Sequence, residues 1–191
     1  MFVTDNNLLP SANDRWLQRY YFTRAAFSAA WVASALTLGS TGSVLGTLLL
    51  VIYPFWDAAA NYADAARQGG LARNRTQALN VVVSLATTLA VIVAVQIGAS
   101  ATLTVFGAWA VLSGLLQLGT AVGRWKSASA QWAMVLSGAQ SALAGAFFIL
   151  QAQQPTAAVI STIAGYAAFG AVYFFVSAIW LVVGKKFRRK A

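Results

Sequence analysis

The chain has 191 residues, of which 59% are hydrophobic and 9% charged, far below the roughly 25% charged residues of soluble domains, so an integral membrane protein is expected. It has no histidine, no cysteine and four acids, Asp5, Asp14, Asp57 and Asp64, which removes the ligands of a zinc site, the imidazole of a triad and all thiolate chemistry. No enzyme activity, metal or cofactor is expected. The net charge of +9 comes from 13 basic residues gathered in short clusters between apolar runs, which suits anionic headgroups and not nucleic acid.

The opening "MFVTDNNLLPSANDRWLQRYYFTR" is too long and too acidic for an ordinary signal peptide, and residues 1–21 are expected as a cytoplasmic or interfacial segment. Stretches of about 20 apolar residues, the length that crosses about 30 Å of hydrocarbon, then fall at 22–39, 43–63, 77–97, 101–123, 131–151 and 156–183. Together, residues 22–184 form the predicted six-span domain, and 185–191 a basic tail.

The first span is rich in alanine and serine and has Arg24 near its start. In the second, Pro54 precedes Asp57 by one turn, and Asp57, Asn61 and Asp64 share one helical face. Counting from the first turn, Arg24 and Asp57 each lie about 25 Å inward at 1.5 Å per residue, near the cytoplasmic edge of the hydrocarbon. They are predicted to form an ion pair, which offsets a cost of about 2.5 to 3.5 kcal/mol for a lone charge at the bilayer centre and less near its edge. Asp64 is expected lower down, solvated and within reach of Arg67. The alternative is a polar path for protons or cations along Asp57, Asn61 and Asp64, since intramembrane carboxylates mark transport routes.

The fourth and fifth spans carry Gln117 and Gln140 at middle depth, with Ser113, Ser137 and Thr88 nearby. These side chains predict interhelical hydrogen bonds, worth on the order of 0.6 to 2 kcal/mol each, or a narrow polar cavity for a small neutral solute. Small residues at Gly107, Gly114, Gly119, Gly123, Gly138, Ala142 and Gly145, and at Ser161, Gly165 and Ala168, predict close helix packing. The tail residues Lys185, Lys186, Arg188, Arg189 and Lys190 predict contact with anionic lipid headgroups at about 1 kcal/mol each.

The connections alternate: "GSTG", "GASA" and "QQPT" are uncharged, whereas "RQGGLARNR" and "GRWKSAS" are basic, as are both chain ends. The positive-inside rule therefore places both termini in the cytoplasm. The short outer turns pair the spans as three antiparallel hairpins, which overlay at a spacing of about 56 residues. On that overlay Ser28, Ser84 and Ser137 correspond, as do Ala58, Gly114 and Gly170; Arg24 and Asp57 match Asn80 and Ser113, then Ala133 and Phe169. The fold predicted is all-α, a six-helix membrane bundle of three repeated hairpins.

The stretches "VLSGLLQLGTAV", "WAMVLSGAQSALAGAFFIL" and "AGYAAFGAVYFFVSAIWLV", with a basic turn after the first and Pro155 before the last, resemble the repeat of HdeD-type acid-resistance membrane proteins, a bacterial six-span family. The resemblance is clearest from about residue 100 to 185; the first third departs from it at Asp57 and Ala58. It implies a stress-related protein of the bacterial inner membrane, acting through helix packing and contacts with lipid, a second copy or another membrane protein. The alternative is a small transporter or channel for protons or a small solute.

Overall fold

The computed structural model describes residues 12–39, 43–123, 125, 131–154 and 158–188, with backbone alone at 12–14, 131, 133 and 184–188. Six helices follow one another: α1 (Ala12–Leu38), α2 (Val44–Arg67), α3 (Arg75–Ile97), α4 (Ala99–Gly123), α5 (Gln131–Gln151) and α6 (Val159–Arg188). The helix breaks have local causes. The Ser43 hydroxyl accepts from the Gly46 N–H and caps α2. Gly69 and Gly70, at φ of 96° and 89°, turn the chain out of α2 in a region where side chains are disfavoured. Between α3 and α4 the single residue Gly98, at φ of 137°, makes the reversal.

Five helices, α2 to α6, are long and apolar enough to cross a membrane. Helix α1, diluted by serine, alanine and arginine, is less apolar. It begins at Ala12, ten residues ahead of the predicted span, so Arg15, Arg19 and Arg24 ride on one continuous helix with the apolar part. Its buried residues Leu17, Tyr21, Ala25, Ser28, Trp31 and Ala35 recur at helical spacing and form the inward face.

Residue contacts make neighbouring pairs antiparallel. Tyr21 meets Phe174 at one end of α1 and α6, and Gly39 lies against Ile160 at the other; Ser84 reaches Asp57 and Gln77 reaches Asp64 across α3 and α2. Ser113 reaches Asn80 across α4 and α3. The helices thus close into an up-and-down ring with α1 beside α6. The most extensive packing joins α4 to α5, α1 to α6, and α2 to α3, whereas α1 with α2 and α5 with α6 touch sparingly. The expected hairpins are therefore sequence neighbours but not the tightest pairs.

Glycine explains the tightest seam. A Cβ on Gly114 would lie 2.5 Å from the Gly138 carbonyl oxygen, and one on Gly145 would lie 2.5 Å from that of Gly107. Backbone thus meets backbone at two levels, as the small residues predict. Gly119, Gly123 and Gly165 differ: no backbone approaches them, and Gly165 and Gly123 have open space where a Cβ would stand. Of the expected packing face on Ser161, Gly165 and Ala168, Ser161 and Gly165 are exposed and no described residue packs where a Gly165 Cβ would stand, while α6 meets α1 through aromatic side chains.

The bundle has two halves. Towards the uncharged connections, Trp31, Leu50, Val91, Leu103, Phe106, Phe148 and Ile163 form a solid apolar core. Towards the basic end, the interior is polar: Asp57, Asn61, Asp64, Gln77, Asn80, Ser84 and Ser113 are buried. Around the outside of both halves, Leu48, Ile52, Leu89, Val93, Leu143, Phe147, Phe169 and Val172 are exposed. Apolar side chains outside and polar ones inside are what a lipid solvent selects.

Candidate functional site

The polar half encloses a cavity of about 90 Å³ to which all six helices contribute side chains. Its ceiling is aromatic. Tyr53, Trp109 and Tyr166 meet edge to face, with ring centroids 5.8 Å and 6.3 Å apart, directly beneath the apolar core. From this level the cavity extends towards the end of the bundle that carries the basic connections, as far as Asp64, Gln77 and Thr120.

Arg24 and Asp57 form an ion pair between α1 and α2. The same carboxylate accepts from Asn61 at 2.9 Å and from Ser84 at 2.9 Å, and Ser84 in turn accepts from the Trp109 indole at 2.9 Å. Arg24 also donates to the Tyr20 hydroxyl at 3.0 Å and lies 4.3 Å from the Phe174 ring centroid. Asp57 is thus a hub joining α1, α2, α3 and, through Ser84, α4. Helix α2 runs ten residues past Asp57 to Arg67, about 15 Å further, so the pair sits inside the bundle and not at its edge.

Pro54 lies in α2 one turn before the hub and is fully buried. It removes one backbone donor, and close by the Trp31 indole donates to the Leu49 carbonyl at 2.7 Å. The stretch around Pro54 is thereby tied to α1.

Asp64 is buried, not at an exposed position. It is 5% exposed and accepts from Gln68 at 2.6 Å and Gln77 at 2.9 Å. Arg67, its expected neighbour, instead lies 5.0 Å from the Trp16 ring centroid, because its place on α2 is exposed. Asp57, Asn61 and Asp64 do share the cavity wall, each held by neighbouring amides or hydroxyls.

Asn80 and Ser113, the positions overlaid on Arg24 and Asp57 in the repeat expected from the sequence, hydrogen-bond at 3.0 Å. Their counterpart in the third hairpin includes Ala133, whose side chain lies outside the described residues. Gln117, Gln140, Ser113 and Ser137 all line the cavity. Among the described residues, Ser113 alone of these four has a hydrogen-bond partner. Of the tail, Arg189 and Lys190 lie outside the described residues, and Lys185, Lys186 and Arg188 are described as backbone of α6 only.

Sequence reasoning missed the aromatic ceiling and the burial of the Trp16 and Trp56 indole nitrogens. Trp56 stacks on Phe27 at 4.3 Å, and both indole N–H groups are buried with no partner among the described residues. A helical-wheel phase for α1 and α2 anchored on Arg24 and Asp57 would have turned Trp56 towards α1. Among the described residues, no group of three or more His, Cys, Asp or Glu could hold a metal.

No family model, no curated protein and no solved structure matches the chain, so the resemblance to HdeD-type proteins finds no support from these comparisons.

Proposed function

We propose that the chain is a small-solute transporter that crosses a bacterial inner membrane six times with both termini in the cytoplasm. The observation that carries this reading is the cavity: a membrane bundle that needed only packing would fill its interior, yet here six helices leave a polar space lined by Gln117, Ser137 and Gln140. Unpartnered polar side chains in a membrane interior are costly and mark function. Pockets between helices of a bundle are also usual places for ligands. The basic residues at one end of the ring support the orientation, and the antiparallel order of the six helices supports counting α1 as a crossing.

A stress role in acid resistance rests on the resemblance alone, and survival of a deletion strain after acid challenge tests it. For transport, the purified protein in liposomes should give solute flux above protein-free liposomes. Gly170→Leu should lower that flux without unfolding the bundle, because Gly170 lines the cavity and a Cβ there meets no atom within 4 Å. Equal flux in protein-free and protein-containing liposomes across a panel of small solutes would refute the reading.

A further inference from the structure

Resting on the transport reading, we infer that the cavity selects a small uncharged molecule bearing both hydrogen-bond donors and acceptors, of the amide, urea or polyol class, and rejects ions of either sign. The two sides of the cavity differ in what they leave open. On the side of α1, α2 and α3, the charges are already engaged. Arg24 is held by Asp57 and Tyr20, Asp57 by Arg24, Asn61 and Ser84, and Asp64 by Gln68 and Gln77.

On the opposite side, from α4, α5 and α6, Gln117, Ser137, Gln140 and Tyr173 line the cavity, and their side-chain polar groups have no hydrogen-bond partner among the described residues. Ser137 is only 8% exposed, so its hydroxyl has the cavity as its one open direction. Two primary amides and two hydroxyls offer donors and acceptors in similar number and no net charge.

A charged ligand meets opposition. The aromatic rings would otherwise receive a cation, but the Arg24 guanidinium already lies 4.3 Å from the Phe174 centroid and 5.7 Å from that of Tyr20, and it repels a second cation. An anion faces Asp57 and Asp64 with Arg24 already engaged. Dehydrating an ion to enter is costly unless it is paired, whereas a neutral polar molecule needs only hydrogen bonds. A volume of about 90 Å³ has room for about three to six waters, or one molecule of about four to eight heavy atoms.

Urea and guanidinium make the test, since they are planar, nearly equal in size and differ in charge. Protein in liposomes is challenged with an inward gradient of urea or glycerol, followed as shrinkage and reswelling by light scattering, and with labelled guanidinium, followed as uptake while valinomycin and internal potassium compensate its charge. Urea or glycerol should enter faster than into protein-free liposomes, guanidinium should not, and Gln117→Leu and Gln140→Leu should each slow entry by about two- to tenfold, the loss of one hydrogen bond. Circular dichroism and size exclusion establish that both variants remain folded. Faster guanidinium than urea entry, or neutral flux indifferent to both glutamine changes, would overturn this inference and leave the transport reading standing. No flux of any of the three, combined with no flux across the wider panel, would overturn the transport reading itself.

Discussion

At the scale of single residues, Asp57 holds the interior together. Its carboxylate accepts from a guanidinium, an amide and a hydroxyl on three helices, so removing either charge leaves the other buried and uncompensated. Asp57→Asn or Arg24→Gln should each destabilise the bundle by roughly 3 to 5 kcal/mol, whereas the double change should cost less than the sum. Denaturant unfolding in detergent micelles measures all three, and additive losses would show that the two side chains act independently. The level match of Arg24 with Asp57 follows from counting along antiparallel helices, so the sequence makes this pair legible. The partners of Asp64 are not, because Gln68 lies at the helix end and Gln77 comes from the next helix, whose rotation no residue count fixes.

At the scale of helices, the glycines fall into two groups that look alike as letters. Gly107, Gly114, Gly138 and Gly145 stand where α4 and α5 touch backbone to backbone, and Gly165 faces open space. Gly114→Val should therefore force the helices apart and cost at least about 1 to 3 kcal/mol, while Gly165→Ala should change stability by less than about 0.5 kcal/mol; thermal unfolding distinguishes them. Span positions are legible because lipid demands long apolar runs: α2 to α6 fall close to those runs, whereas α1 starts ten residues ahead of its own and is less apolar. Which helices pack most closely is not, since short turns bring α5 and α6 together in sequence while Tyr21, Phe22, Phe174 and Phe175 draw α6 to α1.

At the scale of the molecule, the proposed orientation has a direct test. The chain lacks cysteine, so single replacements report without background. Gln154→Cys should react with a membrane-impermeant maleimide in intact spheroplasts, and Ala72→Cys only after permeabilisation; the reverse pattern would invert the bundle. The same separation of polar and apolar halves explains why the cavity was only partly foreseeable. Gln117, Gln140, Ser113 and Ser137 announce polarity at middle depth, but whether such side chains satisfy one another or leave space depends on ring closure by α1 and α6, the two helices furthest apart in the chain.

That closure has a consequence for biogenesis. Translation delivers α1 first and α6 last, so the least apolar helix must wait through four intervening segments for its most extensive partner. During that interval α1 has only α2 to hold it, through the Arg24–Asp57 pair, the Phe27–Trp56 stack and the Trp31 indole on Leu49. On the six-span reading proposed above, the ion pair would serve as a temporary clasp in the nascent chain, holding the arginine-bearing segment beside α2 until the last helix arrives and the ring is sealed.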